Sequence, residues 1–515
     1  MSLTSPSRLP DSVTTHPDYE FAILPLKMVR DCVDGGYKIK RLAQEYLPHP
    51  SQVNPEDEAQ QVRYQAYLRG AEFDEYTQKT LKSWLGKMRI KDATVEVPDR
   101  IEYLVRNADG DGTDIRASAE LTASNIFQAR YHVLVADYQG LSDVKLTEVS
   151  RADAAQLNPR ATIKQYPREN LVNWHYRRIN GVMQLAFVML REIGSDFNIA
   201  NYSHDPIESY LILALDDDGE YYQQKIVNGP DGIIEGNPDY VTVNGQSLNW
   251  LPVEIVADDE LPSGHLPTSM GMLYPIADLC ISRYNRSAPY GEAMAYMVAT
   301  SFTKGWQPGD LELFKELNGR ENILFGPGAS NNLPENVSFE IQAVNTELGG
   351  FERYFDANEK KIRQMGGSVQ DPSGGNATAT EAQIDAVDIN AMFQTLADSV
   401  ERAYRRMISY CAMFEGVWSP ADVEIKLDEV VFSLPRDFAT PKLSVEEVRM
   451  MLDLYAEGIY TKKQLIELLQ AGGWGDRDID TWITELDEAS PNISGMAELM
   501  ARIGATNNAE VQEDE

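Results

Sequence analysis

From Glu381 to Phe414, apolar residues recur at Ile384, Val387, Ala391, Leu396, Val400, Ala403, Met407, Cys411 and Phe414, the three-and-four spacing of a helix that buries one stripe. Thr380-Glu381 supplies an N-cap and a first-turn acid. The pattern predicts a rod of roughly 50 Å, about 34 residues at ~1.5 Å each. Directly before it runs Gln364-Met365-Gly366-Gly367-Ser368-Val369-Gln370-Asp371-Pro372-Ser373-Gly374-Gly375-Asn376-Ala377-Thr378-Ala379-Thr380, a small, polar stretch with a single proline. Glycine admits backbone angles closed to other residues, and short side chains present no bulky apolar surface, so this stretch predicts a flexible loop. A polar loop feeding so long a rod is an odd possession for an enzyme and a natural one for a protein that lines a channel.

At 515 residues, with 43% hydrophobic and 24% charged residues, the chain is long enough for two to four folded units. Its 80 acidic residues against 46 basic ones give a net charge of −34. That argues against general nucleic-acid binding by phosphate neutralisation. It still permits an acidic wall that faces DNA in order not to hold it. Cys32, Cys280 and Cys411 are far apart and odd in number, which fits neither a disulfide framework nor a zinc site and points to a reducing compartment. The first 19 residues are polar, without the apolar core of a signal peptide, and no window approaches 18 apolar residues. The expectation is a soluble protein made in the cytoplasm, with no membrane partner.

The chemical motifs are sparse. Asn107-x-Asp109-x-Asp111-Gly112 resembles the first half of a calcium loop, but its twelfth position is Ser118 and Glu120 comes two residues late. A turn rich in Asp and Gly is the stronger reading. The six histidines are scattered, with His132 and His175 inside strand patterns, and there is no HExxH, Walker A, GxGxxG or GxSxG pattern. No catalytic residue, metal ligand or cofactor is therefore expected. One charge pattern stands out. Asp371, Glu381, Asp385, Asp388 and Asp398 run without a Lys or Arg between them, and Arg402, Arg405 and Arg406 follow. This is either an acidic solvated face or a surface toward an anionic cargo, with the basic half held against acidic neighbours.

Local patterns predict helix over 56–89 with a break at Gly70, an extended run from Ala93 to Ile101, helix around Leu121–Ala129 and a strand at Tyr131–Tyr138. Two hairpins are expected, one at the Asn180-Gly181 turn and one at Asp216–Gly219, with a further strand at Val253–Val256. Helix resumes over 271–304 despite Pro275 and Pro289, and a Gly/Pro/Asn-rich insert follows. Val423–Leu434 alternates like a half-buried strand, and short helices are expected at 445–456, 461–470 and 476–488.

The order of these parts resembles the portal proteins of tailed bacteriophages. Tyr46-Leu47-Pro48, Arg63–Phe73 (RYQAYLRGAEF), Asn107–Gly112 (NADGDG) and Thr378–Ala382 (TATEA) look like one uncharacterised-domain branch of that family. The resemblance implies an α+β subunit. Its parts would be a flexible arm at 1–20, a β-rich wing at 21–270, a stem helix at 271–304, a small α/β clip at 305–346 and a second stem helix at 347–365. A tunnel loop at 366–380, a long helix with a return strand of the wing at 381–434, a helical crown at 435–490 and an acidic tail at 491–515 would complete it. Gly366, Gly367, Ser368, Gln370, Asp371, Ser373, Gly374, Gly375, Asn376 and Thr378 would then face DNA from the tunnel loop, and Glu381, Asp385 and Asp388 would form an acidic channel wall. Pro289 departs from an ideal stem helix.

The resemblance further implies a ring, most often of twelve copies, at one capsid vertex of a virion. Such a ring passes viral double-stranded DNA during packaging and ejection, with terminase, tail adaptor, capsid and scaffold proteins as partners. It is a structural part, not an enzyme. Two other readings are another ring-forming head–tail connector component and a metal-dependent hydrolase. The length and the clip-like insert argue against the first, and no sequence marker supports the second.

Overall fold

The computed structural model describes residues 13–49, 58–138, 160–179, 181–199, 202–229, 232–261, 264–297, 300–320, 323, 331–342, 348–366, 379–436, 450–451, 454–455, 461 and 463–466. The chain divides into two compact units, Met1–Pro435 and Arg436–Glu515.

The first unit is α+β. It opens with α1 (Pro17–Asp34), α2 (Gly36–Leu42), α3 (Glu58–Gly70), α4 (Tyr76–Met88), β1 (Thr94–Glu96) and α5 (Ile115–Ala129). Strands follow: β2 (Tyr131–Tyr138), β3 (Ala161–Pro167), β4 (Leu171–Ile179), β5 (Val182–Asn198), β6 (Ser203–Leu215) and β7 (Tyr221–Gly229). Next come β8 (Gly232–Glu235), β9 (Asp239–Tyr240), β10 (Thr242–Val243), β11 (Gln246–Ser247) and β12 (Val253–Ala257). The remainder is α6 (Tyr274–Met297), β13 (Thr300–Lys304), α7 (Asp310–Asn318), β14 (Ser338–Gln342), α8 (Gly349–Gly366), α9 (Ala379–Phe414), α10 (Asp422–Ile425) and β15 (Val431–Ser433).

Helix α1 begins inside the stretch that reads as a loose arm. Pro17 occupies the first turn, where its missing N–H costs nothing, and the His16 ring accepts from the Asp18 amide at 3.2 Å. Just upstream, the His16 amide donates to the Val172 carbonyl at 3.0 Å and Asn173 Nδ2 to the Thr14 carbonyl at 2.8 Å. Residues 13–16 are thus tied to β4, a tertiary contact that local sequence does not announce. The helix expected over 56–89 is two helices, parted at Ala71–Glu75 just after Gly70.

Strand β2 lies between β12 and β3 in an antiparallel three-stranded sheet. Its residues are buried from Tyr131 through Asp137 without alternation, because both faces are covered. The larger sheet runs β4-β5-β6-β7-β8, with β9 also paired to β7. Both expected hairpins are present: Ile179 pairs with Val182 around Gly181, which has φ +85°, and Leu215 pairs with Tyr221. A type I′ turn requires that positive φ, hence the Asn-Gly pair.

Two expectations are corrected. Helix α6 ends at Met297, short of residue 304, and Thr300–Lys304 is instead a strand paired with β14. Pro289 lies within α6. The alternation of 423–434 does not make one strand: Asp422–Ile425 is helical, Leu427–Glu429 is a 3-10 turn, and β15 alone pairs with β1. The Asp422 carboxylate accepts from the Ser419 amide at 3.0 Å and hydroxyl at 2.8 Å. That Ser-x-x-Asp pairing nucleates a helical turn and overrides the alternation.

In the second unit, Gln464 Oε1 accepts from the Thr461 amide at 3.0 Å, and the Gln464 amide donates to Thr461 Oγ1 at 3.3 Å. This reciprocal cap starts a helical stretch at 463–466.

Candidate functional site

Helices α6 and α8 flank the strand–helix–strand insert and pack antiparallel. Tyr290 meets Phe351 and Phe355 at ring-centroid distances of 5.7 and 5.4 Å. Ser282 shares a 2.8 Å hydrogen bond with the Tyr354 hydroxyl, and Asn358 Nδ2 reaches the Leu279 carbonyl at 3.4 Å. One helix ascends as the other descends. Arg283 fixes the register: it donates to the Phe355 carbonyl at 2.8 Å, stacks on the Phe355 ring and pairs with Asp74 from the α3–α4 connection. The insert between the helices is the β13–β14 ribbon with α7, whose Phe314 is buried and meets Trp306 edge-on at 5.9 Å.

Helix α8 ends at Gly366, the first residue of the stretch read from sequence as a tunnel loop. The Gly366 carbonyl accepts from Trp84 Nε1 at 2.9 Å, and a Cβ at Gly366 would lie 3.2 Å from Thr80 Oγ1. The Trp84 ring continues into Phe127 of α5 at 5.1 Å and Phe393 of α9 at 6.5 Å. One tryptophan thus holds the end of α8 while touching the helix that follows the loop.

The C-terminal half of α9 is anchored by a buried chain of polar groups. Gln165 Nε2 donates to the Ser118 carbonyl at 2.9 Å and to its Oγ at 2.6 Å, while Gln165 Oε1 faces His132 Nε2 at 3.1 Å. Ser118 Oγ lies 2.8 Å from the Tyr404 hydroxyl, which lies 2.9 Å from Thr122 Oγ1. Thr122 Oγ1 donates to the Ser118 carbonyl at 3.1 Å. Thr122 Oγ1 also lies 3.5 Å from Gln165 Oε1, and in each of the two hydroxyl pairs either oxygen can be the donor. Burial pushes the His132 pKa down to about 3, so the ring stays neutral above that and its Nε2–H donates to Gln165.

The arginines after the acidic stretch are held against acids. Arg406 Nη1 lies 2.9 Å from Glu254, Arg405 reaches Asp428 at 3.1 Å and the Leu427 and Val430 carbonyls at 3.2 Å, and Arg402 approaches Glu260 at 3.8 Å. Burial pushes Glu254 up, and Arg406 and the Tyr410 hydroxyl pull it back. Glu415, just past the helix, accepts from the Tyr103 hydroxyl at 3.0 Å and the Ala161 amide at 2.9 Å.

Beside Arg406 is an open cleft of about 310 Å³, lined by Gln184, Trp250, Leu251, Val423 and Glu424 among others. Its lining includes Arg406, Tyr410 and Glu424 and no serine, cysteine, threonine or histidine. Among the described residues no three His, Cys, Asp or Glu side chains gather as a metal site, and no helix is long and apolar enough to cross a membrane. Cys32, Cys280 and Cys411 are free and buried. In the Asn107 turn, Asn107 Oδ1 accepts from the Gly110 and Gly112 amides, each at 2.9 Å. Asp109 Oδ1 accepts from Asp111 and Thr113. Both side chains are spent on the turn itself.

Of the residues expected to face DNA, Gly366 is buried at the end of α8. Gly367, Ser368, Gln370, Asp371, Ser373, Gly374, Gly375, Asn376 and Thr378 lie outside the described residues. Glu381, Asp385 and Asp388 fall on the first turns of α9. The sequence gives no sign of Trp84, Ser118, Thr122, Gln165 or Tyr404 as anchors, because their partners are 40 to several hundred residues away. His132 was legible only as a strand histidine.

Residues 272–415 match a family described as a domain of unknown function (DUF4055). That span runs from the start of α6 to the end of α9. No curated protein matches the chain. Among solved structures, one chain is from the neck of an empty GTA particle computed with C6 symmetry. It is 11% identical over 79% of this chain and 92% of its own, with a TM-score of 0.37. A second is from the virion of the native gene transfer agent (GTA) particle, at 11% identity over 84% of this chain and 98% of its own, also with a TM-score of 0.37. Likeness at that level assigns no role to this chain.

Proposed function

We propose that this chain is a portal protein of a phage-like particle, a structural component of the virion and not an enzyme. Copies form a ring at one capsid vertex, through which double-stranded DNA passes during packaging and ejection and on which terminase and tail adaptor dock. The observation that carries the reading is the run of elements from α6 to α9. Among the described residues, a helix, a strand–helix–strand insert, an antiparallel return helix and a 36-residue helix follow in that order. The resemblance drawn from sequence calls for that order of stem, clip, stem, tunnel loop and long helix. The paired arginines on α9 also agree with a helix whose basic half is turned to its own chain.

A ring fits the charge. Each copy carries −34, so the assembled wall repels a DNA duplex on average and favours sliding over adhesion. Closure by rotation requires heterologous contacts, in which different patches of one surface meet. Electron microscopy of the purified protein tests the reading directly. Rings with a central pore are expected, and a strictly monomeric species at micromolar concentration, with no ring in particles, sinks it.

A further inference from the structure

The sixteen residues from Tyr76 to Lys91 hold Lys79, Lys82, Lys87, Arg89 and Lys91 and no acid, in a chain where acids outnumber bases 80 to 46. On α4 the buried face is Thr77, Leu81, Trp84 and Met88, while Lys79, Lys82 and Ser83 are exposed. Helical spacing puts the last three on one outward stripe. Helix α8 runs alongside: Glu359 lies against the Tyr76 hydroxyl, and Gly366 meets Thr80 and Trp84. Its exposed Lys360 and Lys361 add two cations, and its Arg363 is paired with Glu359 at 2.7 Å.

Several other lysines of the chain are ion-paired. Lys27, Lys91, Lys164 and Lys225 each lie within ion-pair distance of a carboxylate. Among the described residues no such partner stands beside Lys79, Lys82, Lys360 or Lys361; Lys82 Nζ donates to Gln78 at 3.2 Å. These exposed lysines lie on α4 and on α8 near its end at Gly366.

We infer that the outward faces of α4 and the C-terminal half of α8 form a contact surface for the phosphate backbone of double-stranded DNA. The inference rests on the channel reading and names where the otherwise repellent chain touches its cargo. From Lys79 to Lys82 the helix rises about 4.5 Å, along which a duplex presents roughly three phosphates. A line of ammonium groups suits that dense, regular charge, and its hold is sequence-independent and released by salt.

The test is binding of a random-sequence duplex of about 40 base pairs to the full chain, measured by fluorescence anisotropy from about 50 to 200 mM salt. The variant replaces Lys79, Lys82, Lys360 and Lys361 by Gln, and a control carries Lys40→Gln with Arg41→Gln on α2. The expected result is at least about a tenfold loss of affinity at low salt. The slope of log affinity against log salt should flatten by up to about 3.6, four contacts at ~0.9 each, with the control within about twofold of the original. Equal binding by variant and original, or no binding by the original at low salt, overturns the inference. So does a variant that loses ring formation, because the surface then serves contact between copies. Ring formation is read separately by electron microscopy: original rings with unchanged variant binding sink this surface alone, whereas absence of rings sinks the channel reading.

Discussion

At the scale of single residues, His132 gives the clearest pH signature. It is fully buried, with Nε2 bonded to Gln165 and no partner for Nδ1 among the described residues. Its folded pKa of about 3 lies below the ordinary value of 6.5. Between those values the unfolded chain carries a proton that the folded chain does not, so stability rises with pH and is lost on acidification. From pH 6.5 and above down to pH 5 this one group should remove about 2 kcal/mol. Urea denaturation of the original and of His132→Gln checks it: the variant should show a shallower acid limb, and parallel limbs would refute the assignment. Arg168 is a second buried residue with a large stake. It donates to the carbonyls of Ala129, Pro267, Thr268 and Ser269 and stacks 4.5 Å from the Tyr131 ring. Arg168→Met would strand four carbonyls, at a cost of about 3 kcal/mol in thermal or chemical unfolding; a loss below about 1 kcal/mol would show that water replaces the guanidinium.

Among elements, α9 is defined by what it is fastened to. If the Ser118–Tyr404–Thr122 hydroxyls act as one unit, Tyr404→Phe should cost about 1–3 kcal/mol. Its effect should also be non-additive with Ser118→Ala by more than about 0.5 kcal/mol in a double-mutant cycle. Strict additivity would mean independent bonds. The same helix shows what sequence discloses. Its apolar stripe is long and periodic, and Leu396, Val400, Ala403, Met407 and Cys411 are indeed buried while Ala391 is exposed, so its presence and length were legible. The strand of Tyr131–Tyr138 and both hairpins were legible for the same reason: hydrophobic runs and turn residues are local signals. Helix α1 was hidden by Pro17 and Pro25, since its stability comes from packing against α4, α5 and α6. The strand at Thr300–Lys304 was hidden because its partner β14 lies 34 or more residues on. At the candidate site, the tryptophan that holds the end of α8 was not legible, because its partner, the Gly366 backbone carbonyl, leaves no trace in sequence.

On the scale of the whole molecule, the decisive quantities are charge and assembly. Removing Gly374–Ala377 should leave ring formation intact and impair DNA packaging or retention. Lost assembly would mean that the segment builds the ring rather than serving its lumen. Asp385→Lys with Asp388→Lys should slow DNA passage if those acids face the channel, and unchanged packaging would return them to an ordinary solvated face. Both predictions follow from the proposed function and are read in packaging assays with ring formation as the control.

The aromatic contact of Phe393 with Trp84 and Phe127 has a mechanical consequence. From Phe393 onward α9 is held by Tyr404, Arg405, Arg406 and Tyr410, which makes residue 393 a natural point about which a tilt could be measured. The 14 residues back to Ala379 form a lever arm of about 21 Å. A tilt of only ~5° at that point would carry the far end about 2 Å, a displacement comparable to a helix shift at a subunit interface. Small repacking around one tryptophan would thus be geared up where the polar loop joins the rod.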